Sequence, residues 1–596
     1  MYVLQELPPI FFNMEEYYNY ISQNNIVFHL CKIRAKIAKQ RNKKHLIHLL
    51  TKDIKYNYHK IDLTETEKQL QQLLPVRKKW KKLGKKSRYR NGQALNSIDK
   101  NILSLYKTIN YYKKTNPSEP FLINLNNFII ELQKSVEDDC FSISKPKIYP
   151  KLKNDKEKNN NVCRPISLFS LKDKLIISRT NKYFTDLFDG YFYDNSLAFR
   201  ATQKINGKQK VLSHHDAIQK IMNYRERLKG QRLWIAECDM KKFYDSVNHT
   251  IIKKSFRRLI NKVKRDKPEY YDSNAEKIFY RYLDCYKFNK NVLPLNKALG
   301  YFKKYAIKNG KFGWVEDDLI KLRYYKSLNN AKIGVPQGGA LSGLIANIVL
   351  DYADRMVLKN ADPDLLYIRY CDDMIIMYPN KENCEAALNS YKNALKKLKL
   401  IPHKFEKLTN ISFWSLKTKS KKPYKWCETE NGGFPWIGFV GYEIHYNGFI
   451  RVRKRSLKKE MQKQYEVVNK VKLAIKDNNK RVHVKRIEES VINRLIGMSV
   501  GRIKIWNYQT INNDMCWVNG FSALNDNKYS RIQLKRLDKC RNKIIRKLKR
   551  ELSKYKEDKH VPQEKEKRKK HQIVYYGKPF SYYYQVIERK NKNKKA

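Results

Sequence analysis

Apolar residues recur at intervals of three and four early in the chain, as in residues 25–40 and 66–90. The same spacing returns later, in residues 456–476, 484–506 and 530–555, where lysines and arginines lie opposite the apolar stripe. This spacing is typical of amphipathic helices with one face against a core. The pattern therefore predicts basic helical regions in the early and late parts of the chain.

The middle of the chain, from about residue 140 to 450, has short β-branched and aromatic runs separated by turn residues. These runs alternate with helical patterns such as residues 177–192, which predicts a mixed α/β or α+β domain. A basic, tyrosine-rich segment at about 251–330 indicates an insertion. The predicted domains are a basic helical N-terminal extension (1–140), the domain with the insertion (141–450), a helical region (451–560) and a basic tyrosine-rich tail (561–596).

The charge balance points to a polyanionic partner. Lysine and arginine total 125 against 58 aspartates and glutamates, a formal net charge of +67 spread over most of the chain. Nucleic acid is the commonest polyanion for such a surplus to bind. The alternative is a solvated basic surface encoded by an AT-rich genome, since lysine, asparagine, isoleucine and tyrosine are all abundant.

The cysteines and the apolar runs restrict the cellular setting. The ten cysteines form no CxxC pair and no Cys/His spacing typical of zinc sites, which predicts reduced thiols. No apolar run of about 18 residues occurs, and the N-terminus lacks the features of a secretion signal. We therefore expect a cytoplasmic protein without membrane spans.

The stretch YIRYCDDMIIMY, residues 367–378, places the adjacent carboxylates of Asp372 and Asp373 between two apolar runs. The flanks predict the strands of a hairpin whose turn carries the carboxylates. Two ionised carboxylates cannot lie together in a low dielectric unless a cation neutralises them or one is protonated, and a divalent metal is the natural cation. The alternative for an isolated Asp-Asp pair is an ordinary exposed turn.

A second acidic segment, LWIAECDMKKFYDSVNH, strengthens the metal interpretation. Its apolar strand, residues 233–236, leads to Asp239. If Asp239 converges with the hairpin aspartates, the three carboxylates can hold two metal ions about 3.5 to 4 Å apart. That separation suits in-line phosphoryl transfer.

Between the acidic segments lies PQGGALSG, residues 336–343. Pro336, Gly338 and Gly339 predict a tight turn that allows close backbone approach, followed by an apolar helix. The order DMKKFYD, PQGGALSG and YCDD resembles palm motifs A, B and C of reverse transcriptases, and the similarity extends over roughly residues 145–460. The resemblance implies an α+β right-hand polymerase fold: fingers, a palm with an antiparallel sheet, a helical thumb, and helical N- and C-terminal extensions.

By this resemblance, the catalytic aspartates are Asp239, Asp372 and Asp373. They bind two metal ions, with Met240 included in the metal site. The expected ion is Mg²⁺, with Mn²⁺ as a substitute. The implied reaction is RNA-directed DNA synthesis, with an RNA template, dNTP substrates and a DNA product.

The resemblance also assigns a nucleotide-binding set. Arg164, in CRPISLFSLKDKLI, matches the arginine that contacts the incoming triphosphate, with Lys151 or Lys153 as a second cation. Tyr244 falls at the position of the aromatic gate that excludes a ribose 2′ hydroxyl, and the alternative is a core aromatic beside Phe243. The other members are Gln337 and Gly338, which line the pocket, and Lys407, the candidate general acid for pyrophosphate, with Lys404 as a competitor.

Two further segments imply template and primer contacts. SLAFR, residues 196–200, resembles a fingers motif written SYGFR in group II intron enzymes, which implies template contact by Phe199 and Arg200. WIGFVGYEI resembles the primer grip, a hairpin whose glycines let the backbone approach the primer end. Its expected contacts are Gly438, Gly441 and Tyr442. The basic helices after Ser456 suit a thumb that follows a duplex backbone.

Basic segments that are less specific than the palm motifs indicate which subgroup of reverse transcriptases the chain resembles. Residues 447–460, 516–525 and 533–552 are similar to bacterial "unknown group" enzymes, many of them defence-associated reverse transcriptases with a partner noncoding RNA. We therefore expect a polymerase that uses a structured noncoding RNA in antiphage defence. The alternatives are a group II intron maturase, a retron-type enzyme and a non-catalytic RNA-binding protein, and a homo-oligomer is left open.

The tail contains five tyrosines within residues 574–585. Some relatives in the resembled group prime DNA synthesis from a protein hydroxyl, which makes Tyr582, Tyr583 and Tyr584 candidate primers. The alternative is aromatic packing or stacking on RNA bases, because tyrosine is common throughout this chain.

Overall fold

The computed structural model describes residues 16–50, 63–90, 93–153, 161–205, 208–359, 361–415, 418–476, 484–499, 502–503, 511–512, 516–554, 580–581, 583–585 and 587–588. The chain divides into two compact units. Unit 1 comprises Met1–Val27 and Asn124–Pro435, and unit 2 comprises Phe28–Ile123 and Trp436–Ala596. The segment predicted as one extension over residues 1–140 is thus shared between the units.

Helices and strands are mixed, as the sequence predicts. The α-helices among the described residues are α1 (Tyr17–Tyr20), α2 (Gln23–Leu50), α3 (Glu65–Leu73), α4 (Ser97–Thr115), α5 (Pro120–Glu137), α6 (Leu171–Phe188), α7 (His214–Arg227), α8 (Phe243–Ser246), α9 (His249–Asp266), α10 (Ser273–Asp284), α11 (Phe288–Asn291), α12 (Glu316–Lys321), α13 (Leu341–Leu358), α14 (Lys381–Lys397), α15 (Asn410–Ser415), α16 (Lys454–Lys476), α17 (Val484–Ser499), α18 (Trp517–Gly520) and α19 (Lys528–Leu552). The strands are β1 (Tyr89–Arg90), β2 (Gln93–Ala94), β3 (Lys147–Leu152), β4 (Val162–Leu168), β5 (Thr202–Ile205), β6 (Lys208–Val211), β7 (Leu233–Cys238), β8 (Lys311–Phe312), β9 (Leu366–Tyr370), β10 (Asp373–Tyr378), β11 (Phe405–Glu406), β12 (Ser420–Trp426), β13 (Trp436–Phe439), β14 (Tyr442–His445), β15 (Ile450–Val452), β16 (Arg502–Ile503) and β17 (Ile511–Asn512).

The central sheet of unit 1 has the strand order β11-β12-β7-β10-β9. β10 runs antiparallel to both β9 and β7, β12 runs antiparallel to β7, and β11 is parallel to β12. Ile235 of β7, Ile375 and Ile376 of β10, and Ile368 of the edge strand β9 are fully buried. Helix α14 packs against β7 and β10, and α13 packs against α6, α9 and α14. These helices form the core beneath the sheet.

The predicted hairpin over YIRYCDDMIIMY is present. β9 and β10 pair with Asp373 opposite Tyr370, which leaves Cys371 and Asp372 in the turn. Cys371 has φ of 60°, a left-handed conformation that residues with a Cβ seldom adopt. The turn is therefore tight, and both of its strands are interior to unit 1.

A smaller sheet in unit 1 has the order β3-β4-β8. The N–H of Ser167 on β4 donates to the carbonyl oxygen of Gln337 at 2.8 Å. This bond attaches the sheet to the predicted PQGG turn. The apolar helix predicted after that turn is α13, which begins at Leu341.

The helical structure predicted for residues 66–90 is present only in α3. Thr64 begins α3 with a reciprocal capping box formed with Glu67. Leu74 then has φ of −132° and ψ of 144°. Pro75 follows it, and a residue before proline is disfavoured in the helical region. The rest of the segment consists of short 3₁₀ turns and extended backbone.

Residues 77–90, here called the basic segment, are held along α4 in unit 2. The N–H of Lys81 donates to Thr108 Oγ1 at 2.8 Å, and its carbonyl oxygen accepts from Ser104 Oγ at 2.6 Å. The Lys81 ammonium lies 3.8 Å from the centroid of the Tyr111 ring. The exposed cations of the basic segment are Arg77, Lys78, Lys79, Lys82, Lys85, Lys86 and Arg88.

The C-terminal part of unit 2 combines the sheet β13-β14-β15 with helices. Helix α19 packs against β15, α16 and α17. The helical core they share contains Val468, Val471, Ile487, Val491, Ile492, Leu495, Ile544, Ile545, Leu548 and Leu552. The helices predicted after residue 455 are present as α16, α17 and α19, but the helix predicted over 484–506 ends at Ser499 and is followed by strand β16. Among the described residues, no helix has the length and apolarity needed to cross a membrane.

Candidate active site

The backbone positions of Asp239, Asp372 and Asp373 are neighbours where β7 ends and β10 begins. Cys238, the last residue of β7, pairs with Met374 of β10. Asp239 and Asp373 therefore lie at the next position of this antiparallel ladder, and Asp372 precedes Asp373 in the turn. Burial raises the pKa of Asp372, and the negative charge of Asp239 also raises it. The two aspartates are thus close enough to repel.

The backbone of Asp239 is held by two residues, His403 and Ser420, to which the sequence assigned no role. Its N–H donates to Ser420 Oγ at 3.1 Å, and its carbonyl oxygen lies 3.2 Å from the same hydroxyl. The N–H of His403 donates to that carbonyl oxygen at 2.9 Å. Ser420 is fully buried at the start of β12. These bonds fix the direction in which the Asp239 side chain leaves the sheet.

A lysine and a histidine lie beside the Asp239 carboxylate. The Lys419 ammonium is 3.0 Å from Asp239 Oδ2 and 3.1 Å from Nε2 of His403. His403 Nε2 is 3.9 Å from Asp239 Oδ2. Burial lowers the pKa of His403 to about 4, and the charge of Lys419 lowers it as well. His403 is therefore neutral at neutral pH, and Lys419 supplies the positive charge.

The donor chemistry of this site fits a hard divalent ion. Asp239 and Asp372 repel one another, and carboxylate oxygens are the ligands that Mg²⁺ prefers. Among the described residues, however, no three His, Cys, Asp or Glu side chains are gathered closely enough to hold a metal ion. Asp239 instead pairs with Lys419. A metal at Asp239 would have to compete with that ammonium.

A buried ion pair supports the turn that carries Asp372. Arg369 and Asp354 have side chains that are 0% and 1% exposed. Arg369 Nε and Nη2 donate to the two oxygens of Asp354 at 2.8 and 2.6 Å. Arg369 Nη1 donates to the carbonyl oxygen of Cys371 at 3.1 Å. The guanidinium thus connects helix α13 to the hairpin turn from below.

Tyr244 lies against the same turn. Its hydroxyl oxygen is 3.0 Å from the Cys371 sulfur, and the carbonyl oxygen of Tyr244 accepts from the N–H of Val335 at 2.7 Å. Burial raises the pKa of Tyr244. Phe243 is the more buried of the two neighbouring aromatics, at 2% exposure. The ring of Tyr244 therefore borders the carboxylates, and the gate assignment stays a prediction.

The PQGG turn is tied to the end of motif A. Gln337 Nε2 donates to Asp245 Oδ1 at 2.6 Å. Gly338 has φ of 101°, and a Cβ on Gly339 would overlap the Tyr282 hydroxyl. Glycine is required at both positions, the first for its backbone conformation and the second for space.

Basic residues line the neighbouring strand pair. Lys151 and Arg164 are opposite one another on β3 and β4, and both are exposed. Lys153 is half-buried, and its pKa is lowered to about 8 by burial and by the charges of Lys242 and Arg164. Lys153 therefore lies within electrostatic reach of Arg164.

Comparison with protein families identifies the middle of the chain. Residues 153–439 match the family model described as "Reverse transcriptase (RNA-dependent DNA polymerase)". The chain contains a reverse transcriptase domain. The motif order and the convergence of Asp239 with the YCDD hairpin agree with this assignment.

The curated relatives and solved structures resemble the chain at a distance. The group II intron-encoded protein LtrA of Lactococcus lactis subsp. cremoris is 25% identical over 254 residues, which are 42% of this chain and 30% of that protein. The match thus spans less than a third of the relative. Telomerase from Candida albicans in complex with a fragment of telomeric RNA covers 77% of this chain and 75% of its own at 13% identity and a TM-score of 0.32. Apo telomerase from Candida tropicalis covers 76% and 74% at 14% identity and a TM-score of 0.32.

In the reverse transcriptase domain, Phe199 and Arg200 have different environments. Phe199 is 50% exposed, with φ of 55°. The Arg200 side chain is 2% exposed and pairs with Asp189 at 2.7 Å. It also donates to carbonyl oxygens of Tyr193 and Ser196. The predicted template contact by Arg200 is therefore corrected: its guanidinium holds the loop that presents Phe199.

The primer-grip residues lie in the β13–β14 hairpin of unit 2. Gly441 has φ of 96°, and a Cβ on Gly438 would lie 2.6 Å from Arg453. Tyr442 is fully buried, and its hydroxyl accepts from the N–H of Ala523 at 3.3 Å. The Tyr442 side chain is therefore engaged inside unit 2, and the primer contact assigned to this residue stays a prediction. The glycine contacts stay predictions.

The candidate priming tyrosines are restricted in the same way. Tyr583 is fully buried, and its hydroxyl donates to the carbonyl oxygen of Phe521 at 2.6 Å. Burial also raises the pKa of Tyr583. The Tyr584 hydroxyl donates to the carbonyl oxygen of Asn525 at 2.8 Å. Tyr583 and Tyr584 are therefore packed in the structure, as the alternative predicts. Priming by a tail tyrosine stays a prediction, and Tyr582 lies outside the described residues.

The structure leaves one sequence-based assignment open and adds residues to the site that the sequence did not reveal. Lys407 and its competitor Lys404 are both exposed, and the structure does not separate them. Lys419, His403 and Ser420 were missed because only strand pairing brings them to Asp239. Arg369 did carry a signal, since it is the one charged residue among the strand residues of β9.

Proposed function

We propose that this protein is an RNA-directed DNA polymerase that adds dNTPs to a primer 3′ hydroxyl with the help of two Mg²⁺ ions. The observation that carries the proposal is the convergence of Asp239 with Asp372 and Asp373 beside the aromatic ring of Tyr244. The family match over residues 153–439 supports the same reaction class.

Asp239, Asp372 and Asp373, together with Met240, would hold the ions. Bound divalent ions supply activation of the 3′ hydroxyl and neutralise the charge that develops on pyrophosphate. The bonds from Ser420 and His403 to the Asp239 backbone hold that carboxylate in place before substrate arrives. Such fixed geometry favours in-line transfer because it removes reorganisation from the reaction step.

The remaining residues bind and orient the substrates. Arg164, with Lys151 or Lys153, binds the triphosphate. The ring of Tyr244 takes the space that a ribose 2′ oxygen would need, and Gln337 and Gly338 border that pocket. Lys407, or Lys404, donates a proton to pyrophosphate.

The nucleic acids are bound on surfaces rich in positive charge. The exposed ring of Phe199 is suited to stacking on a template base. The Gly438 and Gly441 backbone approaches the primer end. The net charge of +67 favours a long RNA partner, and the reaction takes place in the cytoplasm.

The experiment measures dNTP incorporation on a primed RNA template by the full-length protein. The double variant Asp372→Ala/Asp373→Ala should lose activity by at least about a thousandfold, as expected when metal ligands are removed. Asp317→Ala, which removes an exposed carboxylate of α12, is the matched control. Equal incorporation by the double variant and the control would leave a non-catalytic RNA-binding protein as the better explanation.

We further propose that the template is a structured noncoding RNA that the protein uses in antiphage defence. The abundance of exposed lysine and arginine outside the reverse transcriptase domain supports a large RNA partner. The similarity to LtrA supports the alternative of an intron maturase. Sequencing RNA that copurifies from native cells separates these: one recurrent noncoding RNA supports defence, intron RNA supports the maturase, and a retron RNA supports the retron type. Light scattering of the same preparation tests for a homo-oligomer.

A further inference from the structure

Two neighbouring lysines of motif A point to different carboxylates. The Lys241 ammonium lies 3.0 and 3.2 Å from the oxygens of Asp318. The Lys242 ammonium instead lies 3.4 Å from Oδ2 of Asp245. The backbone of Lys242 has φ of 53°, the left-handed conformation. This backbone turns the second lysine toward the interior of the site.

The carboxylate that Lys242 faces is fully buried. Asp245 Oδ1 accepts from Gln337, while Oδ2 has no hydrogen-bond partner among the described residues. A buried carboxylate is costly unless a cation compensates it. The Lys242 ammonium is the nearest described cation, and its side chain is 18% exposed. Asp245 thus anchors Lys242 from below.

More positive charge gathers here than Asp245 balances. The N–H of Lys153 donates to the carbonyl oxygen of Val162 at 2.9 Å, and a Cβ on Gly313 would lie 3.4 Å from the Val162 side chain and 3.6 Å from the Lys242 ammonium. Burial lowers the pKa of Lys153, and the charges of Lys242 and Arg164 lower it further. Three cations close together repel one another, and one buried carboxylate neutralises only one of them. A ligand with several negative charges would relieve this repulsion.

We propose that Lys242, held over Asp245, completes with Lys153 and Arg164 a site for the triphosphate of the incoming nucleotide. The proposal rests on the polymerase function and adds a residue to it. Lys242 and the gate residue Tyr244 flank Phe243 in one short segment. Triphosphate binding by Lys242 and exclusion of the ribose 2′ hydroxyl by Tyr244 therefore depend on the same short segment of motif A.

Lysine footprinting tests the site directly. The wild-type full chain is acetylated with an N-hydroxysuccinimide ester with and without dATP and Ca²⁺, and modified lysines are located by tandem mass spectrometry. We expect dATP to protect Lys242 and Lys153 at least about threefold, because a phosphate contact blocks the amine. Lys241 should be labelled equally in both samples. Since Lys241 and Lys242 are adjacent in one peptide, each serves as a control for recovery of the other.

A kinetic test uses the same pair of lysines. Lys242→Met should raise the KM for dATP about tenfold with a smaller change in kcat, whereas Lys241→Met should change neither by more than about twofold. Lys242→Arg keeps the charge and should recover most of the affinity. If Lys242→Met does not fold, Lys153→Met gives the same comparison at a half-buried position.

The outcomes separate this site from the polymerase function. If dATP protects Lys242 in a protein that incorporates no dNTP, the proposed triphosphate site is supported and the proposed polymerase reaction is rejected. Equal labelling of Lys242 with and without dATP, in a protein that polymerises, would reject the site alone. Equal protection of Lys241 and Lys242 would also overturn the proposal, since it would indicate general binding to basic side chains.

Discussion

The ammonium of Lys419 lies 3.0 Å from Oδ2 of Asp239, the carboxylate at the end of the central strand β7. Asp239 is predicted to hold a divalent ion, so an ion that binds it has to displace a tethered cation. The two side chains are 53% and 28% exposed, which makes the pair weak. Lys419 therefore competes with metal without preventing its binding.

Lys419→Met should bind Mn²⁺ about two- to fivefold more tightly than the wild type, because loss of a half-exposed ion pair removes the competitor. Electron paramagnetic resonance of free Mn²⁺ measures this affinity without any turnover. Lys422→Met removes an exposed lysine of β12, three residues after Lys419, and serves as the control. Unchanged Mn²⁺ affinity in Lys419→Met would show that the ion pair does not oppose metal binding.

Arg369→Met should lower the free energy of unfolding by about 3–5 kcal/mol, because it leaves the buried Asp354 carboxylate without its cation. Urea denaturation followed by circular dichroism measures the change. The matched control is Arg355→Met on α13, the helix that carries Asp354. Arg355 is 36% exposed and lies 3.2 Å from Asp351, so its loss should cost about 1 kcal/mol or less. Similar losses in both variants would contradict a special role for the pair beneath the turn.

His249 should make the protein less stable in mild acid. Its Nε2 lies 2.7 Å from the Gly334 carbonyl oxygen, and burial lowers its pKa to about 4. Lys253 and Lys287 also lower that pKa, while Asp284 opposes them. Unfolded histidine takes up a proton near pH 6.5. Between that pH and about 4 the unfolded state binds more protons, so stability decreases as the pH decreases.

The contribution of neutral His249 to the free energy of unfolding is complete above pH 6.5. Roughly 2–3 kcal/mol of this contribution is lost by pH 4. Urea titrations at several pH values compare the wild type with His249→Gln. The difference in unfolding free energy between the two proteins should narrow steadily toward pH 4. Parallel pH profiles would mean that His249 does not titrate differently on unfolding.

Tyr244→Val should admit ribonucleotides, with a loss of dNTP over rNTP discrimination of roughly 10- to 200-fold, typical of one steric contact in a pocket. Tyr244→Phe removes the hydroxyl that contacts Cys371 but keeps the ring, and should retain most of the discrimination. Single-nucleotide incorporation with matched dNTP and rNTP pairs gives the ratio. Discrimination that survives in the valine variant would assign the gate to another residue.

The basic segment should contribute to RNA affinity through phosphate contacts. Replacing Lys82, Lys85 and Lys86 with glutamine should reduce the slope of log affinity against log salt by about 2, or about 0.7 for each single-strand phosphate. Filter binding of single-stranded RNA between low and moderate salt measures the slope. The control replaces Lys381, Lys396 and Lys397 of α14, a helix packed beneath the central sheet. Equal slopes of log affinity against log salt in the two triple variants would show that RNA does not bind the basic segment.

Local patterns predicted the features that neighbouring residues determine. The carboxylate hairpin, the PQGG turn and the helix after it all follow from short runs of sequence. The helical prediction for residues 66–90 was wrong after α3 because Pro75 disfavours a helical conformation at Leu74, despite the apolar spacing around it. Sequence alone does not reveal that the side chains of Arg200 and Tyr442 make internal hydrogen bonds.

Long-range pairing accounts for what the sequence left out. Lys419 reaches Asp239 only because β12 lies antiparallel to β7, with an irregular register between Lys421 and Tyr424. Neither charge spacing nor apolar periodicity encodes that register. Asp245 was visible as an acidic residue in motif A, but its burial beneath Lys242 depends on contacts from the distant Gln337.

Three side chains of the site occupy left-handed backbone: Phe199, Lys242 and Cys371 have φ of 55°, 53° and 60°. Each costs about 1 kcal/mol relative to glycine. Directed evolution for heat resistance alone should therefore favour glycine or asparagine at these positions. The variants selected in this way would be more thermostable but impaired in catalysis. A selection for a thermostable enzyme therefore has to measure DNA synthesis in every round.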